Sequence, residues 1–177
     1  MKLFVGREVR PGAKKCSQTR VGSVNLAPNL DWVFVSSSPL SADELCKWAT
    51  RPNCGAVVTF CGTVRNTSTT GHDITSLEYE TDVALAEARL AEVVGEARSR
   101  WGEIGAVAVH HRIGAVELGE ITVVVAVSSP HRQDAFEAAK YLIDTVKNCV
   151  PMWKREVWEG GSAWSEEAHD IVSVRKR

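Results

Sequence analysis

The sequence predicts a single domain of the α+β class. Two long segments place apolar residues at helical spacing, whereas several shorter segments are rich in β-branched and aromatic residues, as strands are. The strand-like segments outnumber the helical ones and partly follow one another directly, which favours α+β over a doubly wound sheet. A chain of 177 residues is long enough to bury one sizeable core.

The N-terminal part predicts one strand and one short helix. Residues 1–29 hold glycines, prolines and scattered basic residues without periodicity, so we treat them as an extension. Residues 31–35 (DWVFV) predict a strand. A helix begins at Ser41, because Glu44 follows it at the capping-box spacing, and Pro52 ends this helix.

The middle of the chain predicts two strands and the first long helix. Residues 55–64 (GAVVTFCGTV) are typical of a buried strand, and residues 74–80 alternate as a half-buried strand does. The polar residues 67–73 form a loop between them. Residues 83–101 are the clearest helix, with a predicted apolar face of Val83, Leu90, Val94, Ala97 and Trp101.

Three more strands and the second long helix complete the predicted domain. Residues 104–113 and 120–129 read as strands that residues 114–119 connect. A helix follows from about 131 to 148, and residues 152–158 return as a strand before a loop-rich tail. The predicted apolar stripe of this helix consists of Phe136, Ala139, Ile143 and Val146.

Composition excludes several classes of function. A net charge of −1 argues against a general binder of nucleic acid or membrane surfaces. No apolar run reaches membrane-spanning length, and no secretory signal is present. The five cysteines include no C-x-x-C pair, so we expect reduced thiols in a cytoplasmic protein, and neither a zinc site nor a disulfide framework. His110 and His111 are adjacent in a strand and face opposite sides, so they predict a structural role.

Three basic residues are candidates for holding an anion. His131 and Arg132 follow a buried strand at the start of a helix, where free backbone N–H groups favour phosphate. The alternative is an ordinary exposed helix start. Arg65 follows the strand at 55–64 and precedes a polar loop, a place where binding residues often lie. The alternative is an ordinary surface arginine.

Two lysines flank Pro151 and are candidates for chemistry. If the chain reverses there, Lys147 at the helix end and Lys154 on the next strand approach each other. Two close ammonium groups disfavour each other's charge, which makes one of them a usable nucleophile or acid–base group. The alternative is a pair of surface lysines, with Asp144 as the local partner of Lys147.

Several segments together resemble the large-subunit family of molybdopterin synthase. The resemblance spans residues 38–165, and the order of its pieces is more specific than any one of them. The matching pieces are GAVVTFCGTVRN at 55–66, LEYE at 77–80, EARSRWG at 96–102, HRIGAVELGE at 111–120, SSPHRQDAFEAAKYLIDTVK at 128–147 and VPMWKREVW at 150–158.

The resemblance implies a hammerhead-type mixed sheet with two long helices in a subunit that forms a homodimer. Two small ubiquitin-like subunits bind this dimer to give a heterotetramer, and each inserts a C-terminal Gly-Gly tail that ends in a thiocarboxylate. The implied reaction transfers sulfur to cyclic pyranopterin monophosphate and makes the dithiolene of molybdopterin, without a metal or other cofactor.

Residue roles follow from the resemblance at matching positions. Lys147 matches the catalytic lysine, and Lys154, with Arg155 and Glu156, matches a segment that lines the substrate site. His131 and Arg132 match the pair that holds the anionic end of the substrate. The implied substrate-binding residues are Thr63, Val64, Arg65, His131, Arg132, Lys147, Lys154, Arg155 and Glu156.

Two parts of the chain lie outside the resemblance. We divide the chain into an N-terminal extension at 1–37, the synthase domain at 38–165 and a tail at 166–177. Ala168 and His169 stand where some family members reach the partner subunit with an arginine. Two alternatives stay open: a non-catalytic dimeric adaptor that binds a ubiquitin-like tail, and an enzyme acting on another small phosphorylated metabolite.

Overall fold

A computed structural model describes residues 30–68, 71–165 and Val174. Within these residues the chain forms three helices, α1 (Ala42–Ala49), α2 (Val83–Arg100) and α3 (Arg132–Cys149). The strands are β1 (Asp31–Ser36), β2 (Ala56–Thr63), β3 (Ile74–Glu80), β4 (Val107–Arg112), β5 (Gly114–Glu117), β6 (Ile121–Ser129), β7 (Trp153–Trp158) and β8 (Gly161–Trp164). The predicted extension at residues 1–29, Ala168 and His169 lie outside the described residues.

The strands form two four-stranded sheets. The first sheet has the order β1-β4-β6-β2, with β1 parallel to β4 and the other pairs antiparallel. The second sheet has the order β5-β3-β7-β8 and is antiparallel throughout. The α+β class is therefore confirmed. Strand β1 lies within residues 1–37, outside the resemblance, yet it forms one edge of the first sheet.

Two short strands were missed by the sequence analysis. Residues 114–117, predicted as a connection, form β5 and pair with β3. Residues 161–164, predicted as a loop-rich tail, form β8 and pair with β7 after a turn at Gly160, whose φ is 88°. Both strands are four residues long. Their pairing depends on a partner strand that supplies the ladder, so local pattern alone does not reveal them.

The main core lies between the first sheet and the two long helices. Leu90 and Val94 of α2 and Leu142 and Val146 of α3 pack against the inward side chains of β4 and β6. The short helix α1 covers part of the opposite face of this sheet with Leu45. As predicted, α1 starts with a side-chain cap, in which the Glu44 N–H donates to Ser41 Oγ at 3.2 Å.

Two residues assigned to apolar helix faces are exposed. Phe136 of α3 is 62% exposed and Val83 of α2 is 38% exposed, so their predicted burial is wrong. Val83 is the first residue of its helix, and Phe136 lies on the side of α3 that faces away from the sheet. Small residues make the close contact instead, since Ala135, Ala138 and Ala139 of α3 are buried.

Arg98 joins the end of α2 to the start of the first sheet. Its guanidinium binds the carboxylate of Asp31, with Nε 2.7 Å from Oδ1. It also donates to the carbonyl oxygens of Leu30, Ile104 and Gly105 at 2.9, 3.1 and 2.8 Å. One side chain therefore fixes β1 and the connection from α2 to β4.

Candidate functional site

A cavity of about 680 Å³ lies where the two sheets meet the C-terminal half of α3. Its wall comes from the end of β2 and the loop after it, from β3, β4, β6 and β7, and from α3. Three basic side chains line it, namely Arg65, Lys147 and Lys154. A cavity with this lining suits a small anionic molecule, although the whole chain carries a net charge of −1.

Lys147 lies in the last turn of α3, where the helix dipole favours a cation. Its neighbours Val146 and Val150 are buried and fix this turn against the sheet. Asp144, the local partner considered from the sequence, pairs with Lys140 instead. Among the described residues, no carboxylate forms an ion pair with Lys147, so its ammonium group is available to a ligand.

Lys154 lies on β7 beside the same cavity. In the register of β7 with β3, Lys154 is opposite Tyr79 and Glu156 is opposite Leu77, and all four side chains line the cavity. Lys154 Nζ is 3.4 Å from Glu156 Oε1, and these side chains are 24% and 13% exposed. The structure thus brings Lys147 and Lys154 to one cavity, as the reversal near Pro151 predicts.

Arg155 is on the other face of β7. Its guanidinium pairs with Glu78 of the neighbouring strand and lies 5.6 Å from the ring centroid of Trp164. Successive side chains of a strand point to opposite faces, so the cavity that receives Lys154 and Glu156 does not receive Arg155. The structure therefore does not bring Arg155 to the other candidate residues.

The end of β2 supplies two of the three residues assigned to it. Thr63 and Arg65 line the cavity, whereas Val64 is 3% exposed and packs in a small core with Ile74 and Val116. The backbone of Val64 is also occupied, because its N–H donates to the carbonyl oxygen of Glu120 at 3.1 Å. Val64 holds the strand end in place while Thr63 and Arg65 face the cavity.

His131 and Arg132 lie at the opposite end of α3 from Lys147. His131 is the N-cap, its side chain makes no capping hydrogen bond, and both residues are exposed. Lys147 is 15 positions after Arg132, which corresponds to about 22 Å along a helix. Within one copy of the chain, this pair therefore does not reach the cavity that contains Lys147.

His111 lines the cavity and was not selected from the sequence. Burial lowers its pKa from 6.5 to about 4, and its Nδ1 is 2.8 Å from the carbonyl oxygen of Arg112. His110 faces the other side of the sheet, against Trp32 at 4.4 Å between ring centroids, and burial lowers its pKa to about 4 as well. Strand alternation separates the two rings, but only the packing of α3 and β3 identifies the one beside the cavity.

Two features are absent from the part of the chain that the structure describes. Residues 30–68 and 71–165 contain no group of three or more His, Cys, Asp or Glu side chains that could hold a metal ion. In the same part of the chain, no helix has the length and apolar character needed to cross a membrane.

The fold and the cavity define a single-domain α+β subunit with a cationic site for a small molecule. The profile of a protein family described as "MoaE protein" matches residues 35–149. This match covers well over half of the chain, and the chain therefore belongs to the MoaE family.

Curated relatives are identical to this chain at about two fifths of the matched positions. The molybdopterin synthase catalytic subunit of Thermoplasma volcanium is 44% identical over 131 residues, which is 74% of this chain and 94% of the relative. The human protein of the same name is 39% identical over 134 residues, covering 76% of this chain and 70% of the relative. These relatives are catalytic subunits of a sulfur-transferring enzyme of molybdenum cofactor biosynthesis, which confirms the predicted enzyme class.

Solved structures agree with the sequence comparison. Molybdopterin synthase from Staphylococcus aureus matches with a TM-score of 0.70 at 38% identity, covering 74% of this chain and 94% of that one. A complex of subunits 1 and 2 of molybdopterin-converting factor from Helicobacter pylori matches with a TM-score of 0.61 at 21% identity, covering 78% and 91%. The second likeness concerns the fold alone.

Proposed function

We propose that this chain transfers sulfur from the thiocarboxylated C-terminus of a small ubiquitin-like subunit to cyclic pyranopterin monophosphate. The product is the dithiolene of molybdopterin. The observation that carries this proposal is the meeting of Lys147, Lys154 and Arg65 at one cavity in a member of the MoaE family. A non-catalytic adaptor that only binds a protein tail has no need of three cations around a small-molecule cavity.

We assign the chemical step to Lys147. During sulfur transfer, negative charge develops on the thiocarboxyl group of the small subunit and on the pterin side chain under attack. An ammonium group without a carboxylate partner can stabilise this charge or deliver a proton to it. Lys147 has that character among the described residues, and its position at the end of a packed helix supports a fixed geometry.

Lys154 has a different role in the proposal. Glu156 Oε1, 3.4 Å from its ammonium group, restricts the side chain. Lys154 therefore positions an anionic part of the substrate, and Arg65 and Thr63 at the end of β2 contribute from the opposite wall. An arginine suits a phosphate because its planar group donates two parallel hydrogen bonds.

We propose that His131 and Arg132 hold the anionic end of a substrate bound in a second copy of the chain. Their separation of about 22 Å from Lys147 along α3 makes a contribution within one copy impossible. Exposed apolar side chains support a homodimer, since Phe136, one turn after Arg132 on α3, is 62% exposed and Phe60 on the edge strand β2 is 36% exposed. The two-fold axis would place the basic pair of each copy at the cavity of the other.

The small subunit completes the proposed assembly as a heterotetramer. Its Gly-Gly tail is narrow enough to enter the cavity, and the exposed rings of Trp153 and Trp164 on the second sheet offer a docking surface near the entrance. We place the reaction in the cytoplasm, where a thiocarboxylate and reduced cysteines persist. The thiols of Cys46, Cys54 and Cys61, none of which forms a disulfide, support that setting.

Reconstitution tests the proposed activity. The chain, a thiocarboxylated small subunit and cyclic pyranopterin monophosphate should together yield the dithiolene, and simple phosphate esters should neither react nor compete. Turnover of those esters without the small subunit would instead favour a different phosphate-handling enzyme.

Subunit mixing tests the shared site separately. Lys147→Ala and Arg132→Ala should each be inactive alone. After exchange of subunits, about a quarter of the wild-type rate should return, because half of the randomly mixed dimers carry one intact site. No recovery in dimers shown to have exchanged would mean that His131 and Arg132 do not serve the partner's cavity.

A further inference from the structure

We propose that His111 orients the substrate by accepting a hydrogen bond from an N–H group of the pterin ring. This inference rests on the proposed function and adds a specificity-determining residue to the same cavity. The sequence resemblance assigns no role to His111. Its position, its tautomer and the charge of its neighbours carry the argument.

His111 lies on the wall of the cavity that the first sheet forms. In the first sheet His111 of β4 is opposite Val123 of β6, and Val123 is opposite Gly62 of β2, so the three residues form one row across the strands. All three line the cavity. The imidazole is 7% exposed, which leaves the cavity as its contact with solvent or ligand.

The tautomer of His111 follows from its backbone contact. A carbonyl oxygen only accepts hydrogen bonds, so the 2.8 Å contact from Nδ1 to the Arg112 oxygen requires the proton to be on Nδ1. Nε2 then carries the lone pair. Burial lowers the pKa of His111 to about 4, so the ring is neutral near pH 7 and Nε2 accepts hydrogen bonds. No described residue donates to this atom.

The ring is also held in one orientation. Tyr79 of β3 packs edge-on against it, with ring centroids 5.0 Å apart and an interplanar angle of 76°. Tyr79 is in turn opposite Lys154 on β7, which joins the imidazole to the wall that carries the second lysine. A ring fixed by a hydrogen bond on one side and an aromatic contact on another presents Nε2 in a defined direction.

The cavity needs a neutral acceptor of this kind. Lys147, Lys154 and Arg65 are donors and suit phosphate or thiocarboxylate oxygens. A pterin also carries N–H groups on its rings, and each one costs binding energy when it is buried without an acceptor. Two carboxylates also line the cavity, but Glu156 pairs with Lys154 and Asp144 pairs with Lys140. His111 Nε2 is therefore placed to receive one of these donors and to distinguish the pterin from other anions of similar size.

Steady-state kinetics of the reconstituted complex test the proposal. His111→Leu removes the acceptor and should raise KM for cyclic pyranopterin monophosphate about 10- to 100-fold. His111→Gln retains an acceptor and should recover most of this loss. The matched control is His110→Leu, which removes the adjacent buried imidazole on the opposite face and should leave KM unchanged. Equal KM values for His111→Leu and His110→Leu would overturn the proposal.

A binding measurement on the wild type does not depend on how the variants fold. The 15N resonance of His111 Nε2 should shift when cyclic pyranopterin monophosphate binds, while that of Nδ1 stays in place. An Nε2 resonance that does not move at saturation would also overturn the proposal. If the wild type makes no dithiolene, the proposed function fails. If it makes dithiolene and the His111 readouts do not change, only this inference fails.

Discussion

Acid is expected to destabilise this protein through His110 and His111. Both rings are buried, and burial lowers both pKa values from 6.5 to about 4. In the unfolded chain each ring takes up a proton near pH 6.5. Between pH 6.5 and 4 the unfolded state therefore binds more protons than the folded state, and the free energy of unfolding falls as the pH is lowered.

The size of the effect follows from the two shifts. Each pKa is lowered by about 2.5 units, and at roughly 1.4 kcal/mol per unit each ring can reduce the free energy of unfolding by at most about 3.5 kcal/mol, a limit that is reached below pH 4. At pH 5 the same relation gives about 2 kcal/mol for each ring. A loss of about 4 kcal/mol from the pair is large beside the 5–15 kcal/mol that typically separate folded from unfolded states.

Urea unfolding at pH 7 and pH 5 measures this linkage. The double variant His110→Leu/His111→Leu loses some stability at pH 7, but its unfolding free energy should drop by about 4 kcal/mol less than that of the wild type on going to pH 5. Glu120, whose pKa is lowered by the backbone N–H of Glu117, is present in both proteins and cancels in the comparison. If the free energy of unfolding dropped equally in the two proteins, His110 and His111 would not be the cause of the acid destabilisation.

Two further substitutions test the packing and the polar contacts around the site. Gly62→Ala should reduce the free energy of unfolding by about 1–3 kcal/mol, because the new Cβ would lie 2.7 Å from Val123 Cγ1. Gly95→Ala, on an open helix surface, should instead raise it by up to about 1 kcal/mol. Equal melting temperatures for the two variants would contradict this expectation. Arg98→Ala should cost about 2 kcal/mol in chemical denaturation, because it removes the ion pair with Asp31 and three hydrogen bonds to carbonyl oxygens. Arg89→Ala, which removes one exposed ion pair with Glu92, should cost at most about 0.5 kcal/mol, and equal losses in the two variants would contradict this expectation.

Local rules account for the part of the site around Pro151. A helix that ends before proline and a strand that follows it bring Lys147 and Lys154 to one cavity, which is the arrangement that the spacing permits if the chain reverses at Pro151. Strand alternation also separates Lys154 and Glu156 from Arg155, which pairs with Glu78 on the far face. The turn at Pro151 and the alternation of side chains on β7 both depend on one short segment, so they can be read from the sequence of that segment.

Other parts of the site depend on packing between distant segments. Thr63, Val64 and Arg65 were assigned together, but only a strand end packed over a small core shows that Val64 turns inward. The sequence does not distinguish His111 from His110, because the packing of α3 on one face of the sheet decides which ring lies beside the cavity. Phe136 was expected in the core because its spacing fits an apolar stripe, but small alanines allow the helix to approach the sheet on a different face.

In the proposed function, Lys147 performs the chemical step. A reaction with limiting cyclic pyranopterin monophosphate and more than two thiocarboxylated small subunits per pterin tests this role, because each tail donates one of the two sulfur atoms of the dithiolene. Lys147→Ala should slow dithiolene formation by at least about 100-fold, with the small subunit still bound and the fold unchanged. Lys47→Ala, in an exposed ion pair with Asp43 on α1, should react at the wild-type rate. Near-normal product formation by Lys147→Ala would contradict the claim.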